Sequence, residues 1–148
     1  MTKQITPEAV NMAWKMVRTI FPRHEAPPRE RNALLTAVTK VALDDLLGSG
    51  KLTWKKTLPA RTILVFEDQG VRAKPAEKSS LVVHSDESPA EVERAAEWTE
   101  NLFDKWNLTE EERVTLYTAL PCLGLHAIRD YLTWEEEPPF PELGDTDN

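Results

Sequence analysis

The fold class is decided by the stretch RTILVFEDQGVRAK at residues 61–74. Its first half is a β-branched and aromatic run, which favours a strand. Asp68-Gln69-Gly70 supplies a three-residue turn into Val71-Arg72-Ala73-Lys74, so the pattern predicts a β-hairpin. Leu52-Thr53-Trp54 and Leu81-Val82-Val83-His84 are candidates for additional strands.

Helical patterns precede the hairpin. Thr6-Pro7-Glu8 provides an N-cap, a proline at the first helical position and an acidic residue in the first turn, which together predict a helix that ends at Pro22. Apolar residues at helical spacing predict a second helix at about 29–47. Gly48-Ser49-Gly50 is expected to end that helix.

Two clear helix starts follow the hairpin. Ser88-Pro89-Ala90-Glu91 and Thr109-Glu110-Glu111-Glu112 both match the capping box. In that motif the hydroxyl residue and the glutamate three residues later satisfy each other's backbone N–H groups. Pro121 is expected to kink or restart the second helix, and the apolar pattern continues to Leu132.

The order of helix, helix, strands, helix and helix predicts an α+β fold. We expect two N-terminal helices, a small antiparallel hairpin or sheet in the middle, and two to three C-terminal helices packed on it. Residues 1–134 are expected to form a single domain. Residues 135–148 are acidic and rich in proline, which predicts a flexible tail, and residues 74–80 form a polar loop.

Composition excludes several classes of protein. The 148 residues contain one cysteine, which excludes an internal disulfide and a multi-cysteine zinc site. There is no apolar run of membrane-spanning length and no apolar leader, so we expect a cytoplasmic protein without a membrane partner. The net charge of −7 is unevenly distributed, since residues 1–78 carry +6 and residues 79–148 carry −13. This division predicts one basic and one acidic surface, unless the two halves neutralise each other locally.

Motifs for catalysis are weak. Gly48-Ser49-Gly50-Lys51 resembles part of a phosphate-binding loop, but Asp45 and Leu52 occupy positions that require glycine and a hydroxyl residue. Cys122 and His126 lie four residues apart on one helical face, where we expect Cys122 to be a core residue. No catalytic residue, metal or cofactor is predicted. An enzyme of unknown type, built around Cys122, His126 or the hairpin loop, is the third hypothesis for function.

Basic side chains interleaved with an aromatic residue surround the predicted hairpin. Such a pattern is typical of surfaces that follow a nucleic-acid backbone and stack bases on rings. Nucleic-acid binding is therefore the second hypothesis, although the protein is acidic overall. The basic set consists of Lys51, Lys55, Lys56, Arg61, Arg72, Lys74 and Lys78, together with Trp54.

Acidic residues recur along the helix that follows Ser88. We expect them to contact a basic protein partner, with two aromatic residues near the tail as further contacts. The first hypothesis is therefore a small macromolecule-binding protein, such as a regulator, inhibitor or adaptor, of a size that suits a bacterial or phage accessory protein. Homo-oligomerisation also stays open. The predicted contacts are Glu93, Glu97, Glu100, Asp104, Trp134 and Phe140.

Overall fold

The structure, a computed structural model, describes residues 3–76, 78 and 81–140. Helices lie around two small antiparallel sheets, which confirms the predicted α+β class. A 3₁₀ turn, Arg129–Tyr131, joins the last helix to the last strand. Within the described residues the elements are α1 (Pro7–Arg23), α2 (Pro28–Gly48), β1 (Leu52–Trp54), β2 (Thr62–Glu67), β3 (Gly70–Pro75), α3 (Pro89–Lys105), α4 (Glu110–Ala127) and β4 (Leu132–Trp134).

The predicted helix caps are formed. The Thr6 hydroxyl accepts a hydrogen bond from the Ala9 N–H at 3.1 Å. Ser88 and Thr109 each begin a complete capping box. Helix α4 is continuous through Pro121, so it does not restart there as the sequence allowed. A proline removes one backbone hydrogen bond, and the burial of its neighbours on α4 holds the helix together across that gap.

Aromatic side chains join the two halves of the chain in the core. The buried Phe21 of α1 meets Phe66 of β2 edge to face, with ring centroids 5.6 Å apart. Phe21 also meets Trp106, at the end of α3, with centroids 6.0 Å apart. Trp14 packs on the same Phe66 ring at 5.9 Å. These tilted and edge-to-face contacts match the charge distribution of aromatic rings and fix α1, β2 and α3 against one another.

Strands β2 and β3 form the predicted hairpin. Their register pairs Glu67 with Gly70, so the loop contains only Asp68 and Gln69. The prediction of a three-residue turn was wrong by one residue because Gly70 takes part in the strand pairing.

The second edge of β2 is covered by α2. The Thr36 hydroxyl accepts a hydrogen bond from the Leu64 N–H at 3.1 Å, and the side-chain amide oxygen of Asn32 accepts one from the Phe66 N–H at 2.9 Å. Because an unpaired strand edge is a template for pairing with another chain, these two polar side chains of α2 protect the hairpin.

Residues 81–84 do not form the additional strand that the sequence predicted. Within this segment Val83 makes only an isolated bridge to β2. Side chains take the neighbouring backbone groups, since the Val82 carbonyl accepts from Lys40 at 2.6 Å and the His84 N–H donates to Glu87 at 2.8 Å. The segment is therefore held by side chains rather than by a strand ladder.

The predicted strand β1 exists, but it belongs to a separate sheet. It pairs with β4, where Leu52 lies opposite Trp134 and Trp54 lies opposite Leu132. The sequence predicted that Leu132 continues the apolar pattern of the last helix, which was wrong. The helix ends at Ala127, and the chain turns so that Leu132 can pair with a strand 78 positions earlier. A contact this distant leaves no local signal in the sequence.

The start of the predicted tail packs against the domain. Phe140 is 6% exposed and belongs to the core. Residues 141–148, and residues 77, 79 and 80 of the predicted polar loop, lie outside the described residues. Among the residues that are described, none of the helices has the length and apolar character needed to cross a membrane.

Candidate functional site

The predicted acidic residues share one side of α3. Glu93, Glu97, Glu100 and Asp104 are all exposed. They lie within about 60° of one another around the helix axis, because successive residues of an α-helix are rotated by about 100°. The stripe is about 17 Å long at the usual rise per residue. This arrangement follows from their spacing of four, three and four residues.

The two ends of the stripe differ in their partners. Asp104 accepts a hydrogen bond from Arg113 of α4 at 2.9 Å, and Glu100 lies 3.5 Å from the same guanidinium group. Glu93 and Glu97 form no hydrogen bond or ion pair with the part of the chain that the structure describes. The amino-terminal half of the stripe therefore carries uncompensated negative charge.

Helix α4 carries two exposed apolar side chains, one of which contacts the stripe. Val114 is 57% exposed and Tyr117 is 38% exposed, and they are the large hydrophobic residues that the described structure leaves at the surface. The Tyr117 hydroxyl donates a hydrogen bond to Glu100, which places Tyr117 beside the stripe, and Val114 precedes Tyr117 by three residues on α4. Burial and this hydrogen bond raise the pKa of Tyr117, so the hydroxyl stays protonated. We call Glu93, Glu97, Glu100, Asp104, Val114 and Tyr117 the acidic face.

The two aromatic residues predicted to extend the acidic surface lie elsewhere. Trp134 of β4 is 8% exposed and Phe140 is 6% exposed, and both belong to the core. Their side chains pack inside the protein, so these two residues do not belong to the acidic face.

The basic set is divided between the two sheets. Lys51, Lys55 and Lys56 flank β1 in one sheet, whereas Arg72 and Lys74 lie on β3 in the other. All of these side chains are exposed. Arg61 and Lys78 are also exposed, on either side of the hairpin.

Some members of the basic set already have intramolecular contacts. Arg72 forms an ion pair with Glu67 across the hairpin at 2.9 Å. The Lys56 ammonium lies 4.9 Å from the centroid of the Tyr131 ring. Trp54 is partly buried against the core, which reduces the ring surface that a nucleic-acid base could stack on.

A basic cleft lies at the opposite end of α4 from its capping box. The N-terminal segment, the residue after β1, the end of α4 and strand β4 enclose a volume of about 780 Å³. Its charged lining consists of Lys3, Lys55, Arg129 and Asp130, and His126 lines it as well. Sequence patterns placed Lys55, His126 and Trp134 in three different candidate sites and did not bring them together, because the lining residues are far apart in the chain.

Cys122 does not pair with His126 as a reactive dyad. Cys122 is fully buried, and burial raises the pKa of its thiol to about 12. Since the thiolate is the nucleophile, burial disfavours the reactive form, and Cys122 packs in the core, as the sequence predicted.

A buried carboxylate that the sequence analysis treated as a simple helix cap joins α1 to α4. Glu112 is 7% exposed, and its carboxylate lies 3.0 Å from His24 Nε2 and 2.9 Å from Arg23. Burial would raise the pKa of Glu112, but the hydrogen bonds from His24, the Thr109 N–H and Arg23 outweigh it and lower that pKa to about 2. The capping signal at Thr109 identified the helix start but not the partners from α1.

The lowered pKa of Glu112 predicts a loss of stability in acid. Its usual pKa is 4.5, so its contribution is complete above pH 4.5 and is lost as the pH falls towards 2. We expect the wild-type protein to lose about 1–2 kcal/mol more than Glu112→Gln between pH 6 and pH 3, allowing for screening by solvent at the exposed Arg23. Urea unfolding at both pH values measures this difference. Equal losses in the two proteins would contradict the assignment.

A second buried ion pair attaches the segment before α3 to α2. Lys40 and Glu87 lie 2.7 Å apart, with side chains only 3% and 4% exposed. Lys40 also donates to the Val82 carbonyl, and Glu87 accepts from the His84 N–H. The pair therefore holds residues 82–87 in place at the approach to the acidic helix.

No protein-family model, curated protein or solved structure matches this chain. In the described part of the chain, no three side chains of His, Cys, Asp or Glu come together as a metal site would require. Function must therefore be inferred from the shape and charge of the protein's own surfaces.

Proposed function

We propose that the protein binds a basic, partly apolar segment of another protein through the acidic face, and so acts as a regulator, inhibitor or adaptor. The observation that carries the proposal is an exposed acidic stripe on α3 in which Glu93 and Glu97 have no partner among the described residues, together with the exposed Tyr117 at Glu100. Interfaces commonly combine an apolar centre with a polar rim that fixes orientation. The acidic face has both components.

Charge favours a basic partner. Residues 79–148, which include the whole acidic face, carry a net charge of −13. A field of this sign attracts cationic segments and raises their association rate. It also disfavours a dimer in which two copies of the acidic face meet, because an isologous contact would place like charges together.

A synthetic peptide tests the proposal without a known partner. The probe is an amphipathic helical peptide of about 16 residues, with lysines spaced four and three residues apart and leucines beside them. We expect it to bind in fluorescence anisotropy, with an affinity that falls as salt is added. Its charge-reversed version, with glutamate for lysine, is expected not to bind.

Variants locate the binding surface. Glu93→Gln/Glu97→Gln and Val114→Ser are each expected to weaken peptide binding about fivefold, through lost charge and lost apolar contact respectively. Glu136→Gln/Glu137→Gln removes the same number of exposed carboxylates outside the acidic face and is expected to leave binding unchanged. Equal weakening by both double variants would show that only overall charge matters, which would refute a defined site.

Nucleic-acid binding is the alternative function. It is favoured by Arg72 and Lys74, which are exposed two residues apart on β3 and so project from the same side of the hairpin. The separation of the basic set into two sheets and the burial of Trp54 weigh against it. A labelled oligonucleotide in the same titration distinguishes the two: salt-sensitive oligonucleotide binding without peptide binding would favour the alternative.

A further inference from the structure

The basic cleft at the end of α4 is lined by three cationic side chains that come from separate parts of the chain. Lys3 comes from the N-terminal segment, Lys55 from the end of β1, and Arg129 from the turn after α4. Asp130 is the single acidic side chain in the lining, so the cleft carries a net charge of +2. The cleft is therefore locally positive, although the protein as a whole carries a net charge of −7.

The backbone positions these cations. The Lys3 ammonium donates to the Glu135 carbonyl at 3.0 Å, and the Lys55 N–H donates to the Tyr131 carbonyl at 2.8 Å. The Arg129 guanidinium donates to the His126 carbonyl at 2.7 Å. That contact covers a carbonyl at the C-terminal end of α4, whose partial negative charge would otherwise oppose an anion. The Lys55 ammonium forms no hydrogen bond or ion pair with the described residues, so it is available to a ligand.

The rest of the lining is suited to an organic group. Ile5, Leu132 and Trp134 supply an apolar wall, and Thr133 is also among the lining residues. His126 is half-buried, and burial together with the charge of Arg129 lowers its pKa. It is therefore neutral at pH 7 and can donate or accept a hydrogen bond. A volume of about 780 Å³ is in the range of sites for small molecules.

We propose that this cleft binds a small phosphate ester, with the phosphate among Lys3, Lys55 and Arg129 and the organic part against the apolar wall. A phosphate dianion balances the net charge of +2, whereas a monocarboxylate balances half of it. Ammonium and guanidinium groups form strong charge-assisted hydrogen bonds to phosphate oxygens. This site is separate from the acidic face, so it is independent of the proposed protein partner.

Calorimetric titration with three probes tests the proposal: phenyl phosphate, inorganic phosphate and phenol. We expect phenyl phosphate to bind most tightly, inorganic phosphate more weakly because it lacks a group for the apolar wall, and phenol not at all. Equal affinity for phenyl phosphate and inorganic phosphate would overturn the ester assignment. An absence of binding by both phosphates would overturn the site.

Lys55→Gln is the decisive variant because the Lys55 ammonium forms no hydrogen bond or ion pair with the described residues that the substitution would remove. We expect it to weaken phenyl phosphate binding about tenfold, the loss of one charge-assisted hydrogen bond, with thermal unfolding unchanged. Lys74→Gln, an equally exposed lysine on the hairpin, is the matched control and is expected to bind as the wild type does. Equal weakening by the two variants would overturn a local site.

Two further measurements test whether phenyl phosphate binds in this cleft and whether the cleft belongs to a larger nucleic-acid surface. The ring resonances of His126 in NMR spectra should shift when phenyl phosphate is added, since this side chain lines the cleft. Unchanged His126 resonances at saturating phenyl phosphate would place the ligand elsewhere and overturn the proposal. Tighter binding of a single-stranded oligonucleotide, weakened by both Lys55→Gln and Lys74→Gln, would also overturn it in favour of an extended nucleic-acid surface.

Discussion

Lys40→Met is expected to lower the free energy of unfolding by about 3–5 kcal/mol, because it leaves the Glu87 carboxylate buried without its cation. The Val82 carbonyl also loses its 2.6 Å hydrogen bond from the Lys40 ammonium. Urea unfolding at neutral pH measures the loss. Lys15→Met, at an exposed position of α1, removes the same charge and is expected to change stability by less than about 0.5 kcal/mol.

The double variant Lys40→Met/Glu87→Met separates the ion pair from the packing around it. A buried pair replaced by apolar residues of similar size is often as stable as the original, since both charges escape desolvation. We therefore expect the double variant to recover most of the loss. Recovery will be incomplete because the His84 N–H then lacks its acceptor. A loss below about 1 kcal/mol in Lys40→Met alone would contradict the buried pair.

Gly124→Ala is the second large effect, with an expected loss of about 1–3 kcal/mol. A β-carbon at position 124 would lie 1.8 Å from the Thr39 hydroxyl oxygen and 2.8 Å from the Thr39 β-carbon. Alanine is the better helix former by about 1 kcal/mol, but no helix preference offsets an overlap of this size in a close-packed interior. The contact joins α2 to α4, so the clash forces the two helices apart.

Changes at Thr39 provide the control for this prediction. Its hydroxyl is buried and finds no hydrogen-bond partner among the described residues, so Thr39→Ala loses little on its own. Thr39→Ala/Gly124→Ala removes the 1.8 Å overlap but keeps the Thr39 β-carbon, and is expected to restore part of the stability. Thermal and urea unfolding of the four proteins complete the cycle. A stable Gly124→Ala protein would show that α2 and α4 are not this close.

Local sequence signals predicted the helices and the hairpin well. Thr6, Ser88 and Thr109 are caps whose partners lie within three residues, so their function is visible in the sequence itself. The β-branched and aromatic run and the turn that follows it likewise lie within one stretch, residues 61–74, which forms the hairpin. In such cases the partner lies close in the chain, and the spacing of residue types alone is sufficient to predict the contact.

Features that depend on distant partners could not be predicted. Strand β4 pairs with a strand far earlier in the chain, and Glu112 meets two residues at the end of α1. Lys40 has the spacing of an ordinary helix lysine, and only tertiary packing buries it against Glu87. Gly124 lies inside a helix, where no turn requires glycine. A β-carbon does not fit at this position because Thr39 of α2 lies too close.

The two candidate surfaces differ in the same way. The acidic residues of α3 could be named from the sequence because they recur along one helix, whereas the exposure of Val114 and Tyr117 on α4 is visible only in the structure. The basic cleft draws residues from positions 3 to 134. No local pattern links them, and the proposed phosphate site emerges only from the three-dimensional structure.

The most direct test of the acidic face is an NMR titration of the isotope-labelled protein with the basic amphipathic peptide. We predict that backbone amide shifts concentrate in α3 and in the part of α4 around Val114 and Tyr117, and that the Glu93→Gln/Glu97→Gln protein shows smaller shifts at the same peptide concentration. The hairpin amides at Arg72 and Lys74 should stay unchanged. Shifts spread evenly over the surface, or an absence of shifts in α3 at saturating peptide, would contradict the account.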